Sequence, residues 1–150
     1  MCNTLKEALK EATREVYGSC NSDNKNKLRI NVKRGKVWSD TFEIVRGQDK
    51  SDFHLPLDVR FTGEEAVDLR GPTREFFSVL FQGLEQQRIV AGSSPFLTFS
   101  HDILAYERKE YEIFGVLVAL SLLNGCNGPH NLSPSLVHYL LGFSNIKKVV

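Results

Sequence analysis

The stretch from Val59 to Phe77 reads VRFTGEEAVDLRGPTREFF, and its reading sets the frame for the rest of the chain. Val59 and Phe61 continue an alternation begun at Leu55 and Leu57, so a half-buried strand is predicted over 55–61. Pro56 sits near its start, where a missing backbone donor is tolerated. A charged loop follows over 62–71 and holds Gly63 and Gly71. Gly71 is expected to take a positive φ and turn the loop into a helix. Pro72 then stands in the first turn of a helix predicted over 73–87, with Phe76, Phe77, Leu80, Phe81 and Leu84 facing inward. Asp68 lies just upstream of the helix N-terminus, where a carboxylate can meet free backbone N–H groups. Arg74 and Glu75 are placed to pair with neighbouring charges. All of these roles are architectural.

Working outward, Asn3 and Thr4 can cap a helix running to about Tyr17, with Leu5, Leu9, Ala12 and Val16 on one stripe. Gly18 ends it. The polar stretch SCNSDNKNK, 19–27, reads as a linker, giving an N-terminal helix (1–18), a linker (19–27) and a domain from 28 to 150. Leu28 to Val32 alternates as a strand, and Trp38, Ser39 and Asp40 lead into a short helix carrying Phe42, Ile44 and Val45. Downstream, a turn at 92–95 precedes a short strand at 96–99. A helix predicted from about Glu107 to Asn124 becomes apolar nearly all round after Glu112, the pattern of a central buried helix. Ser133 caps a last helix with Pro134 at its first position and Leu136, Val137, Leu140 and Leu141 on its apolar side. The fold class is α/β in the broad sense: α+β, mainly helical, with short strands packed among helices. Its helices are more apolar than 150 residues readily cover, so an exposed apolar patch and self-association are expected.

Composition narrows the function classes. Apolar residues make up 41% of the chain, enough to form a core, so wholesale disorder is excluded. Nineteen basic and 18 acidic side chains leave a net charge of +1, and no global field draws the chain to nucleic acid or an anionic membrane. Cys2, Cys20 and Cys126 form no CxxC pair, which argues against a disulfide framework or a Cys-rich zinc site and for a reducing compartment. The N-terminal residues are too charged for a signal peptide. The longest apolar run, Ile113 to Leu123, is far short of the roughly 20 residues a membrane span needs. An intracellular protein of cytoplasm or nucleus is expected.

The opening motif resembles the N-terminal large lobe of HECT-type ubiquitin ligases. In that family a V-x-F strand runs into a Gly/Glu-rich loop, an acidic "VD", a glycine and a helix opening as (T/S)(R/K)E(F/W)F. Here these stand as Val59 and Phe61, Gly63-Glu64-Glu65, Val67-Asp68, Gly71 and Thr73-Arg74-Glu75-Phe76-Phe77. Phe114-Gly115 and the following LVALSLLNG resemble the family's buried helix. LSPSLVHYLLG, at 132–142, resembles the helix after it, and LRINVKRGKVWSDTF the opening strand and helix. The likeness covers roughly Leu28 to Gly142, less than half of a HECT domain. Where many relatives have two adjacent glycines before the helix, this chain has Arg70 and Gly71.

The resemblance implies ubiquitin transfer to substrate proteins in the complete family, with ubiquitin and a ubiquitin-conjugating enzyme as partners. The family's thioester-forming cysteine belongs to the small C-terminal lobe, in a Thr-Cys-Phe-like setting that this sequence lacks. The chain is therefore expected to be inactive alone, with a ubiquitin- or ligase-binding decoy or regulator as the alternative. Among its own residues Cys126, with His130 nearby, comes nearest to a nucleophile. It follows a helix C-terminus, where the dipole disfavours a thiolate. His54, His101, His130 and His138 are scattered, without metal-ligand spacing, and no phosphate-binding glycine motif occurs. No catalytic residue, cofactor or metal is expected. The resemblance makes Asp68, Gly71, Arg74, Glu75, Phe76, Phe77 and Gly115 structural residues of the lobe. Some relatives also hold a second ubiquitin near the segment matching Pro95–Ser100, which makes Phe96 and Phe99 candidate contacts, with burial in the core as the competing role.

Overall fold

The computed structural model describes residues 2–18, 26–65 and 70–142, without the side chains of residues 2–5. Asp68, most of the expected linker and the segment 143–150 lie outside the described residues. The architecture is α+β and mainly helical, as the sequence leads one to expect.

Strand β1 (Leu28–Val32) pairs in parallel with β2 (Leu57–Phe61), in a register that sets Leu28 against Leu57 and Val32 against Phe61. A parallel pair needs a long crossover. Here it runs through helix α2 (Val37–Arg46) and a short 3-10 turn, Lys50–His54. The strand predicted from Leu55 begins instead at Leu57, because Pro56 lends only its carbonyl, to the Leu28 N–H at 2.9 Å. Leu28, Ile30, Val32, Val59 and Phe61 form the floor of the core.

Helix α3 (Arg70–Gln82) covers that floor with Phe76, Phe77, Leu80 and Phe81, then tightens into a 3-10 turn over Gly83–Gln86. The helix differs from expectation at both ends. The helix begins at Arg70 rather than Thr73, so Gly71 is already helical and does not take a positive φ; Gly63, at φ 86°, is the glycine that turns the loop. It also ends at Gln82, short of Gln87. A glycine at 83 lets α2 approach: a Cβ there would stand 2.8 Å from Trp38 Nε1, which donates to the Leu80 carbonyl at 2.8 Å.

The remainder closes over the far side. Strands β3 (Val90–Ala91) and β4 (Thr98–Phe99) form a minimal antiparallel pair. The helix expected from about Glu107 to Asn124 runs from Glu110 to Leu123, preceded by a short helix not expected from the sequence. Helix α4 (Ile103–Glu107) is capped by Asp102, whose side chain accepts from the Ala105 N–H at 3.0 Å. Lys109 then adopts the left-handed conformation at φ 57°, and α5 (Glu110–Leu123) starts anew. Phe114 of α5 lies 6.4 Å from Trp38, 6.3 Å from Phe81 and 6.2 Å from Phe99, ring centre to ring centre. Helix α1 (Cys2–Tyr17) packs on the end of α5, where Thr13 Oγ1 lies 3.4 Å from the Leu123 carbonyl and the Asn124 amide donates to the Tyr17 hydroxyl at 3.2 Å. Gly18 ends α1 tightly: its N–H donates to the Arg14 carbonyl at 2.6 Å, and a Cβ would collide with that oxygen.

Helix α6 (Pro134–Leu140) is capped by Ser133, as expected, through the Leu136 N–H at 3.2 Å. Its apolar side is only partly used. Leu136 and Val137 are half-buried, whereas Leu140 and Leu141 are exposed. Helix α5 is likewise not enclosed on all sides. Ile113, Phe114, Leu117 and Leu120 are buried, but Leu122 is exposed and open space surrounds Gly115. Ile103, Tyr106 and Leu140 extend this uncovered apolar surface beside a groove of about 660 Å³ between α4, α5 and α6.

The Trp38–Gly83 contact gives a direct test. Gly83→Ala is expected to lower the urea unfolding midpoint, and Trp38→Phe to cost about 1 kcal/mol through its lost hydrogen bond. In the Trp38→Phe background the Gly83→Ala penalty shrinks, because the atom met by the new Cβ is gone; additive effects would contradict the contact.

Candidate functional site

Glu64, after β2, and Glu75, on α3, are held by one guanidinium. Arg34, just after β1, donates from Nε to Glu64 Oε1 at 2.5 Å and from a terminal nitrogen to Glu64 Oε2 at 2.8 Å. Its other terminal nitrogen donates to Glu75 Oε1 at 2.7 Å. The same group stacks over Phe61, 4.3 Å from the ring centre. The planar fork matches a carboxylate in a way that an ammonium could not. Arg34 thus ties the end of β1 to the loop after β2 and to the first turns of α3. All three side chains are about half exposed, so the cluster orients the loop more than it stabilises the fold.

Glu75 therefore has the partner expected of it, while Arg74 points elsewhere. Arg74 lines a cleft of about 640 Å³ between α3 and the loop after α5, together with Ser78, Gln82, Cys126, His130 and Asn131. Burial pushes the Cys126 thiol pKa up, and the nearby Arg74 charge opposes this only in part. The Cys126 thiol points weakly at the Asn124 carbonyl, 3.8 Å away, and among the described residues no hydrogen bond joins it to His130. A group held as a thiol is a poor nucleophile. Asn131 donates to the Phe81 carbonyl at 3.1 Å, and its Oδ1 is buried without a partner among the described residues.

Phe76 and Phe77 are fully buried, with ring centres 4.9 Å apart and edge to face. The pair Phe96 and Phe99 divides. Phe99 packs edge-on against Tyr111 and Phe114, whereas Phe96 is 65% exposed. Tyr111 fixes this corner by donating to the Ser100 carbonyl at 2.7 Å. Among the described residues no His, Cys, Asp and Glu side chains gather as a metal site, and no helix is long and apolar enough to cross a membrane.

Sequence reasoning missed Arg34, whose two partners lie 30 and 41 positions away. It also missed Asp58, which is buried and flanked by Arg60 at 3.2 Å and Arg29 at 4.0 Å. Asp58 falls on the outward side of the β2 alternation, where a solvated residue is the ordinary reading.

With this geometry in hand, the chain can be set beside known proteins. It is 30% identical over 104 residues to E3 ubiquitin-protein ligase UPL1 of Arabidopsis thaliana, covering 65% of this chain and 3% of that protein. It is 28% identical over 105 residues to "Probable E3 ubiquitin-protein ligase mug30" of Schizosaccharomyces pombe, covering 67% of this chain and 13% of that protein. Over 59 residues it is 36% identical to E3 ubiquitin-protein ligase HECW2 of Homo sapiens, covering 39% and 4%. No family model matches the chain. The homologues are thus E3 ubiquitin-protein ligases, matched over partial stretches, and the chain spans only 3% of the Arabidopsis protein's length.

The Arg34 clasp predicts a titration. Arg34 holds the Glu64 carboxyl below its ordinary pKa, chiefly by hydrogen bonding. A depressed folded-state pKa means that the stabilisation from this pair is present above the unfolded value and is lost as pH falls through the folded one. Carboxyl NMR titration should place Glu64 below an ordinary glutamate, and Arg34→Gln should restore it. An unchanged midpoint in Arg34→Gln would show the clasp absent in solution.

Proposed function

We propose that this chain is scaffold from the large lobe of a HECT-type ubiquitin ligase and does not itself carry ubiquitin. One observation carries the reading: within the Val59–Phe77 motif Arg34 joins Phe61 of the strand, Glu64 after it and Glu75 of the helix, in a chain whose homologues are E3 ubiquitin-protein ligases. In this proposal Asp68, Gly71, Arg74, Glu75, Phe76, Phe77 and Gly115 serve the lobe's architecture. Ubiquitin and a ubiquitin-conjugating enzyme are partners of the complete ligase, acting in the cytoplasm or nucleus. The uncovered faces of α5 and α6 support this reading, since a larger lobe would bury them.

Incubation with activating enzyme, conjugating enzyme, ATP and ubiquitin should leave the chain unmodified on a non-reducing gel. A thiol-sensitive adduct that disappears in Cys126→Ser would overturn the proposal.

Exposure of Phe96 favours a second reading, in which the chain binds ubiquitin without transferring it. Ubiquitin titrated into labelled protein would then shift the signals of residues 95–97, and Phe96→Ala would abolish the shifts. An unchanged spectrum would remove this reading.

A further inference from the structure

Among the described residues, the parallel β1–β2 pair leaves one edge of β1 unpaired. The Leu28 N–H bonds to Pro56 and the Val32 carbonyl accepts from Thr62, so the even-numbered residues of β1 face β2. By the alternation of a parallel ladder, the N–H and C=O groups of Arg29 and Asn31 point to the opposite edge. Among the described residues these groups have no partner, and both residues are exposed. The edge stops at Lys33, whose N–H is taken by Asp40 Oδ2 at 2.9 Å.

The solvent-facing side chains of the same strand repeat with period two: Lys27, Arg29, Asn31 and Lys33. Every one is exposed, and three are cationic. No hydrogen bond or ion pair among the described residues engages the side chains of Lys27, Asn31 or Lys33. Arg29 has only a 4.0 Å approach to Asp58, whose oxygens already receive Arg60. The outer side of the sheet therefore presents a row of positive charge beside a row of alternating backbone donors and acceptors.

We infer that the free edge of β1 is a docking site for an extended acidic peptide segment of a partner protein, which adds as a third strand. Main-chain bonds to Arg29 and Asn31 supply the pairing. Acidic side chains at every second position of the segment fall on the same face as Lys27, Arg29 and Lys33, at the strand's own repeat. A nucleic acid fits less well. Its phosphates offer acceptors only, whereas the edge presents donors and acceptors alternately, and no aromatic side chain stands among these residues for bases to stack on. The inference does not depend on the ligase reading.

The test uses the 150-residue chain and a labelled eight-residue peptide alternating Glu and Val. Fluorescence anisotropy should show saturable binding that weakens as salt is added. Amide signals of Arg29 and Asn31 should shift, and their hydrogen exchange should slow. Lys27→Glu with Lys33→Glu should weaken binding roughly tenfold or more, as expected for reversed charge at a docking surface. A version of the peptide N-methylated at alternate residues keeps its charge but loses its donors, and should not bind. Asn31→Pro should also block pairing; its N–H is not used by β2, and proline is tolerated at strand edges. Equal binding of the N-methylated peptide would overturn the inference. So would undisturbed Arg29 and Asn31 amides, or tighter binding of oligouridine than of the acidic peptide.

Discussion

The indole of Trp38 holds the molecule's layers in place. It lies on α2, donates to the Leu80 carbonyl on α3, and stacks on Phe42 and Phe114. Its approach depends on Gly83, at the start of the 3-10 turn after α3, where a Cβ would stand in the way. With the two helices fixed, Phe76, Phe77, Leu80 and Phe81 lie over the floor made by β1 and β2, and Phe114 closes the remaining space. Aromatic rings meeting edge to face give these contacts direction as well as buried area.

The architecture beyond that centre is uneven. Around β1, β2, α2 and α3 the apolar side chains find one another, and the surface is charged. Around α4 and α6, and on one side of α5, they do so only in part. Leu122, Leu140 and Leu141 have no counterpart within the described residues to cover them. The polar features are just as localised. Arg34 gathers Glu64 and Glu75 at one end of the sheet, and Cys126 sits at the far end of α5, where burial keeps it a thiol.

Most local features could be read from the sequence. The alternation at Leu28–Val32, the stop at Gly18 and the Ser133 cap are short-range signals, and all are present; the alternation read over Leu55–Phe61 holds only from Leu57 and is broken by the buried Asp58. Gly71 misled because helical glycine and turn glycine look alike in a sequence; Gly63, in the same loop, took the turn. The break at Lys109 was hidden because lysine seldom adopts a left-handed conformation, and the charged residues around it suit a helix. The Arg34 clasp joins residues brought close only by the crossover, and no periodicity encodes such a pair. The division between Phe96 and Phe99 was equally hidden, since it depends on which way a two-residue strand faces Tyr111.

The position of Phe114 bears on how the chain is made. Synthesis delivers β1, α2, β2 and α3 first, and these elements can come together around Trp38 and Phe81. The ring that fills the space between them arrives 33 residues after Phe81. At roughly 5–20 residues per second, the half-built core waits on the order of seconds with an aromatic socket open. During that interval the contacts of Trp38 and Phe81 with the Phe114 ring are unmade, so this part of the core cannot close.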